Sequence, residues 1–186
     1  MEDHLLVKNS LQGDQKACKA LFDRYAPTMM ALCNRYMIHS AEAEDALQEG
    51  FIKVFQYLGT WKKDGNLGAW IRRIMVNTCL TKLKANELKN LPFESTMDSN
   101  YKEEAIGISE LSYHEIELLI ESLPTGYRTV FNLVVIEGYS YPEIAQLLQI
   151  TESTCRSQFF KAKKQLANQI IKLNSTINIS AYEPLA

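Results

Sequence analysis

The chain has 186 residues, of which 46% are hydrophobic and 23% are charged, a composition typical of a globular protein rather than a disordered one. Its formal net charge of −2 argues against a generic basic nucleic-acid coat. The apolar runs are shorter than the ~18–20 residues of a membrane span, and the N-terminus does not resemble a secretory signal, so we expect a cytoplasmic protein without membrane insertion.

Helical periodicity in the N-terminal part, residues 1–86, predicts a first small helical domain. Asp14 is the predicted N-cap of a long helix that contains Pro27. Ser40 is the predicted N-cap of the next helix, whose polar side is rich in acids. No segment alternates convincingly between apolar and polar residues, so no strand is predicted.

A polar loop, GTWKKDGNLG, leads into a helix predicted from Ala69 to about Ala85. Between Lys62 and Lys84 the cations clearly outnumber the acids, which makes this region a basic patch. Aromatic rings beside cations and amides are suited to holding unstacked bases, so the patch predicts single-strand binding. Taken alone, Trp70 is more often a core residue than a base platform.

Periodicity fades over residues 87–111, which are polar and acid-rich and are predicted to form a flexible linker. Ser112 and Glu115 have the spacing of a capping box and open a second predicted domain, residues 112–174. Residues 175–186 are predicted to be a frayed tail.

An apolar helix is predicted from Tyr127 to Glu137, and two further helices follow it in YSYPEIAQLLQITESTCRSQFFKAKKQL. Ser140 and Glu143 predict the start of the first of these, and Thr151 is a good N-cap for the second. Short polar groups near the start of the second helix, with Lys and Arg further along, suit the DNA major groove. A plain helical hairpin with a solvated basic face would share this local pattern.

The sequence predicts no catalytic residues, no metal site and no cofactor. The four cysteines form no CxxC pair and are predicted to be buried free thiols: Cys18, Cys33, Cys79 and Cys155. The histidines are scattered, and the glycine-rich phosphate-binding loops of nucleotide enzymes are absent from the sequence. We therefore do not expect an enzyme.

Three segments, in order, resemble motifs of bacterial RNA polymerase sigma factors. AEDALQEGFIKVFQYL resembles their acidic helix, and GNLGAWIRRIMVNTCLTKLKA resembles their promoter-melting helix. LPTGYRTVFNLVVIEGYSYPEIAQLLQITESTCRSQFFKAKKQL resembles their final helix-turn-helix domain. The length and the two domains are similar to the extracytoplasmic-function group, which keeps only the second and fourth sigma domains. The resemblance implies an all-α protein of two small helical domains joined by a flexible linker, with residues 1–86 as domain two and 112–174 as domain four.

The resemblance also implies three sets of site residues. Docking on the polymerase is implied for Asp45, Gln48 and Glu49, although a solvated acidic face would fit the same residues. Contact with the minus-ten element, and its melting, are implied for Trp61, Lys62, Lys63, Asn66, Trp70, Arg73, Asn77 and Lys82. Recognition of the minus-35 duplex is implied for Thr154, Arg156, Ser157, Gln158, Lys161 and Lys164. Gln158 and Phe160 depart from the residues common in the family, so the minus-35 sequence is not implied.

The implied partners are core RNA polymerase, promoter DNA in both duplex and single-stranded form, and an anti-sigma factor. The alternative is a stand-alone helix-turn-helix transcriptional regulator with an N-terminal helical sensor. That alternative predicts tight duplex binding without polymerase and gives no role to the basic patch around Trp70.

Overall fold

The computed structural model of the chain describes residues 2–62, 65–87 and 112–180. Every regular element within these residues is helical, which confirms the predicted all-α class. The chain divides into two compact units, Met1–Pro92 and Phe93–Ala186, called here the N-terminal and C-terminal units. The predicted linker lies outside the described residues, except for Glu87 at the end of a helix. None of the described helices combines the length and apolar character needed to span a membrane.

The described part of the N-terminal unit contains α1 (Asp3–Leu11), α2 (Gln15–Tyr36), α3 (Ser40–Tyr57), a short 3₁₀ turn (Leu58–Thr60) and α4 (Leu67–Glu87). Helix α2 packs against the other three helices, and α3 packs against α4. Large, fully buried side chains fill the space between them: Leu6, Leu21, Leu32, Tyr36, Ile71 and Met75. This core fixes which faces of α3 and α4 point to solvent.

Helix α2 begins where the sequence predicted. The Asp14 carboxylate accepts hydrogen bonds from the backbone N–H groups of Lys16 and Ala17, at 2.9 and 3.4 Å. The helix then continues through Pro27 as one element. Helix α3 corrects a prediction, since His39 occupies the N-cap position while the Ser40 hydroxyl bonds to the Glu44 carboxylate one turn later.

Helix α1 is an element that the periodicity did not predict. It buries Leu6 and Val7, and its first residue is tied to α2. The Asp3 carboxylate accepts a hydrogen bond from the Tyr25 hydroxyl at 2.8 Å and pairs with the Arg24 guanidinium at 2.5 Å. Burial, followed by this hydrogen bond, raises the pKa of Tyr25 to about 12.

Helices α3 and α4 approach closely at Gly50. The glycine is buried, and a Cβ placed there would collide with the side chain of Met75. Glycine in the middle of a helix costs about 1 kcal/mol relative to alanine, so the close approach explains why it is tolerated. The contact brings the residues on either side of Gly50 within reach of α4.

The described part of the C-terminal unit contains α5 (Tyr113–Glu121), α6 (Thr125–Phe131), a π-helical segment (Asn132–Ile136), α7 (Tyr141–Leu148) and α8 (Glu152–Ser180). Helix α8 packs against α5, α6 and α7. Its contacts with the unit are centred on buried apolar side chains: Leu123, Val130, Leu133, Ile144, Cys155 and Ala162.

Both predicted capping boxes in this unit are confirmed. The Glu115 carboxylate accepts hydrogen bonds from the backbone N–H and hydroxyl of Ser112, both at 2.8 Å. Glu143 does the same for Ser140, at 2.8 and 2.6 Å. The turn between α7 and α8 is closed by Gln149, whose φ of 59° is left-handed.

Two bounds differ from the predictions. The apolar helix begins at Thr125 rather than Tyr127, and its second half is π-helical, with the Glu137 N–H bonded to the Asn132 carbonyl at 3.0 Å. Helix α8 continues to Ser180, so residues 175–180, assigned to a tail, extend the helix, while residues 181–186 lie outside the described part.

Candidate nucleic-acid interfaces

The acidic side of α3 faces solvent. Asp45 and Gln48 are exposed and Glu49 is half-buried, and their spacing places all three on one side of the helix. Ile52, one turn further on, is 57% exposed and adds an apolar side chain that the sequence reasoning missed. We call these four residues the α3 face. An exposed mixture of carboxylates, an amide and one apolar side chain suits a protein partner better than nucleic acid.

Glu49 connects the α3 face to α4. Its carboxylate pairs with Lys53 at 2.8 Å on its own helix and with Lys82 at 3.2 Å on the neighbouring one. Lys53 also lies 3.4 Å from the Thr78 hydroxyl. The hydrogen bond from Lys53, reinforced by Lys82, lowers the pKa of Glu49 below its ordinary value. Lys82, predicted to bind DNA, is therefore already paired within the chain.

The loop before α4 contains four of the residues that the resemblance implied for minus-ten contact, and the structure describes three of them. Trp61 is only 8% exposed and packs against His4 of α1, with ring centroids 5.1 Å apart, so it does not present a ring for a base in this structure. Asn66 is exposed and its side-chain oxygen accepts the N–H of Ala69 at 2.9 Å, which caps α4. Lys62 is exposed, whereas Lys63 lies outside the described residues.

The outer side of α4 carries Trp70, Arg73 and Asn77. These positions are three and four residues apart and share one face, called here the α4 strip. Arg73 and Asn77 are exposed and Trp70 is half-buried, so an amide, a guanidinium and an indole lie side by side. This combination provides donors and acceptors for a base edge, a charge for phosphate and a surface for stacking.

Helix α8 presents one exposed strip. Its start is capped by Thr151, whose hydroxyl accepts the N–H of Thr154 at 3.1 Å and also bonds to the Thr154 hydroxyl at 2.8 Å. Four exposed side chains three or four residues apart share one face of α8 and form what we call the α8 strip: Ser153, Arg156, Phe160 and Lys163. Of these, only Arg156 belongs to the residues that the resemblance implied for minus-35 recognition.

The other implied residues on α8 are half-exposed and flank the strip: Thr154, Ser157, Gln158, Lys161 and Lys164. Gln158 is turned toward the scaffold, because its amide lies 3.6 Å from where a Cβ would stand on Gly126 of α6. The sequence could have predicted which side of α8 faces solvent, because the apolar residues Cys155 and Ala162 are buried on the opposite side.

An aromatic cluster supports the α8 strip. Tyr141, at the start of α7, makes an edge contact with Phe159 of α8, with ring centroids 6.2 Å apart, and Phe159 stacks on Phe131 at 6.1 Å. The Arg156 guanidinium carbon lies 4.5 Å from the centroid of the Tyr141 ring. Arg156 also pairs with Glu152 at 3.7 Å. The exposed arginine is thus held on two sides.

Within the described residues, no group of three or more His, Cys, Asp or Glu side chains is placed to hold a metal ion. The cysteines are free thiols, three of them buried and Cys18 half-buried. The Sγ atoms of Cys33 and Cys79 lie 3.8 Å apart, and this contact lowers the pKa of the Cys33 thiol. Burial raises the pKa of the Cys155 thiol.

Comparison with known families finds two matches along the chain. The family described as "Sigma-70 region 2" matches residues 21–88, and the family described as "Sigma-70, region 4" matches residues 113–166. The ECF RNA polymerase sigma-E factor of Escherichia coli (strain K12) is 30% identical over 182 residues, covering 91% of this chain and 95% of the relative. That of Haemophilus influenzae is 28% identical over 183 residues, covering 91% and 96%.

Two solved structures share the fold. The sigma factor RpoE from Bartonella quintana, in complex with the anti-sigma factor NepR, has a TM-score of 0.52 and 18% identity, covering 83% of this chain and 96% of that one. CnrH, in complex with the cytosolic domain of CnrY, has a TM-score of 0.51 and 20% identity, covering 91% and 97%.

Proposed function

Because the chain belongs to the extracytoplasmic-function (ECF) group of sigma-70 RNA polymerase sigma factors, we propose that it docks on core RNA polymerase and directs it to specific promoters. In this proposal the α8 strip recognises the minus-35 duplex, and the α4 strip binds the melted minus-ten element. The observation that carries the proposal is the pair of solvent-facing strips, one in each unit, each of which combines polar side chains and an arginine with an aromatic ring. Each lies on a helix whose opposite face is buried in the core.

The α8 strip has the chemistry of a major-groove reader. Arg156 is exposed in the second turn of the helix, and an arginine can donate two hydrogen bonds to a guanine edge. Lys163 lies two turns further on, where a cation meets the DNA backbone. Ser153 and Phe160 offer a small donor and an apolar contact on the same strip. Arg156 therefore contributes specificity, and Lys163 contributes affinity that does not depend on sequence.

The α4 strip binds a base that has left the stack. The Asn77 amide offers both a donor and an acceptor to a base edge, while Arg73 neutralises a nearby phosphate. The chain holds no energy source for melting. It stabilises the opened strand by binding it, and this shifts the opening equilibrium toward the melted state. Trp61 supports this region from within the core.

The α3 face docks on the polymerase. Asp45 and Gln48 are exposed, and the apolar Ile52 beside them adds area that is removed from water on binding. Once docked, the two DNA contacts act together. Two modest contacts that are held at promoter spacing reinforce each other through their high effective concentration.

An anti-sigma factor is a further proposed partner. The structures of RpoE and CnrH, which share this fold, were solved with NepR and with the cytosolic domain of CnrY bound. A partner of this kind would sequester the chain from polymerase. A stand-alone regulator gives no role to the α4 strip, and the comparisons do not favour it.

The direct test is run-off transcription from a genomic template library, with core polymerase in the presence and absence of the purified chain. We expect promoter-specific transcripts only when the chain is present. Co-elution with core polymerase on size exclusion gives the docking step separately. A chain that neither co-elutes with core polymerase nor supports initiation would refute the proposal.

The docking step has a matched pair of variants. Asp45→Lys reverses a charge on the α3 face, whereas Glu44→Lys reverses an exposed charge beside it on the same helix. We expect Asp45→Lys to weaken binding to core polymerase much more than Glu44→Lys does. Equal effects of the two reversals would indicate a general charge effect instead of a docking face.

The melting step is tested by Asn77→Ala, with Thr81→Ala as its control. Thr81 is exposed one turn further along α4, and its hydroxyl donates a hydrogen bond to the Asn77 carbonyl at 2.8 Å. Permanganate footprinting should show poor opening by Asn77→Ala on duplex templates and near-normal activity on a template already melted at the minus-ten element. Normal opening of the duplex would place the melting role elsewhere.

A further inference from the structure

Arg156 is the exposed arginine of the α8 strip, and its position is set by a residue outside α8. The guanidinium carbon lies 4.5 Å from the centroid of the Tyr141 ring, which is within the range of a cation–π interaction. Tyr141 is the first residue of α7 and lies within the capping box that Ser140 and Glu143 form. The contact therefore joins the two helices on either side of the turn.

The Tyr141 ring is itself fixed. It makes an edge contact with Phe159, at a centroid distance of 6.2 Å, and Phe159 in turn stacks on Phe131 of α6 at 6.1 Å. The Tyr141 side chain is half-buried, and the capping box holds its backbone. The ring therefore provides a fixed surface against which the long, flexible Arg156 side chain can pack.

The second contact of Arg156, with Glu152, orients its side chain more weakly than the Tyr141 ring does. Glu152 lies 3.7 Å away, but the two side chains are 61% and 50% exposed, and solvent screens a pair of this kind. A carboxylate also occupies N–H donors that a base would need. A ring face attracts the charge without accepting a conventional hydrogen bond, so it leaves the N–H donors of the guanidinium available.

We propose that Tyr141 is a positioning residue for minus-35 recognition, because it holds Arg156 in the orientation in which the guanidinium reads its base pair. This inference rests on the proposed function. Ordering a long side chain on binding is costly, and a preformed contact removes part of that cost. Losing the ring should reduce discrimination at the base pair read by Arg156 by about two- to tenfold, and should leave the other positions unchanged.

The test uses the holoenzyme on promoter templates in which the minus-35 element is randomised and each minus-35 sequence is linked to its own barcode in the transcribed region. Base preferences are obtained by sequencing the barcodes in the run-off transcripts. The holoenzymes contain the unsubstituted chain, Arg156→Ala, Tyr141→Leu, Tyr141→Phe or the Arg156→Ala/Tyr141→Leu double variant. Arg156→Ala identifies the base pair that the arginine reads. We expect Tyr141→Leu to relax preference at that same base pair and Tyr141→Phe, which keeps the ring, to retain it.

The double variant separates positioning from a general structural effect. Without Arg156, the change to leucine should alter preference at that base pair no further. An unchanged preference in Tyr141→Leu, or a uniform loss at all positions, would overturn the inference. A preference that does not depend on Arg156 would overturn it while leaving the proposed function intact. An unsubstituted holoenzyme without any minus-35 preference would overturn both.

A second measurement does not depend on how well a variant folds. In the unsubstituted chain, the Arg156 side-chain protons lie over the Tyr141 ring, so their NMR signals should be shifted by the ring current. Signals at random-coil positions would show that the contact is absent in solution, and the inference would then be wrong.

Discussion

Glu49→Gln is the change that most directly tests the charge network between α3 and α4. The substitution keeps the size of the side chain and removes its charge. It therefore weakens the pairs with Lys53 at 2.8 Å and Lys82 at 3.2 Å, while the helices and the close contact at Gly50 stay in place. We expect the N-terminal unit to lose stability at neutral pH.

The size of the loss follows from the exposure of the partners. The Glu49 side chain is 41% exposed, and those of Lys53 and Lys82 are 32% and 27% exposed, so solvent screens both pairs. Pairs of this kind contribute about 0.2–1 kcal/mol each, so we expect a total loss of roughly 1 kcal/mol. In a unit of this size, that loss lowers the melting temperature by about 4–8 °C.

The pH dependence has a defined sign. The network lowers the pKa of Glu49 in the folded chain, so the unfolded chain binds the proton more readily. The stabilisation is therefore fully present above the ordinary glutamate pKa, about 4.3, and is lost as the pH falls through the lowered value. The difference in stability between the unsubstituted chain and Glu49→Gln should shrink in this acid range.

The assay is thermal unfolding followed by tryptophan fluorescence between pH 7 and pH 3. Both tryptophans, Trp61 and Trp70, belong to the N-terminal unit, so the signal reports this unit alone. Asp45→Asn removes the same charge from an exposed position on the same helix and serves as the control. A difference that persists at pH 3, or an equal loss in Asp45→Asn, would refute the reasoning.

Three further outcomes are expected. Gly50→Ala should destabilise the N-terminal unit by about 1 kcal/mol in urea unfolding, because overpacking against Met75 exceeds the gain in helix propensity. In a Met75→Ala background the same change should become stabilising. Gln149→Gly should raise the free energy of unfolding of the C-terminal unit by about 0.5–1 kcal/mol, because it removes a non-glycine residue from a left-handed backbone conformation. A lower free energy of unfolding, measured by circular dichroism, would contradict this. Cys18 should react first with a thiol reagent, and the other three cysteines only on unfolding; rapid reaction of all four would contradict their burial.

Local signals in the sequence were sufficient for three of the predicted helix caps, although not for the start of α3, where His39 and not Ser40 is the N-cap. Asp14, Ser112 with Glu115, and Ser140 with Glu143 were all predicted as caps and all cap their helices. Capping depends on residues two or three positions apart, so the sequence contains the whole interaction. The all-α class was predictable for a similar reason, because each helix carries its own periodicity.

The errors arose where distant residues decide the structure. Helix α1 is held by the contact of Asp3 with Arg24 and Tyr25, which lie on the next helix along the chain. The hydrophobic pattern of α1 is itself too short to predict a helix. Trp61 reads as an aromatic beside cations, but its packing against His4 buries it. No local pattern in the sequence identifies these long-range partners. The burial of Trp61 and the packing of α1 therefore could not be predicted from it.

Two cations implied for DNA contact are held within the chain by different chemistry, and the difference matters for binding. Lys82 is held by a carboxylate, which neutralises it, so a phosphate that takes up Lys82 must compete with Glu49. Arg156 lies over the Tyr141 ring, which leaves its charge and donors in place, so under the proposed function DNA would meet an oriented cation. Because Glu49 also lies on the α3 face, a polymerase group that engages its carboxylate would weaken its hold on Lys82. Docking and strand binding would then favour each other through one shared residue.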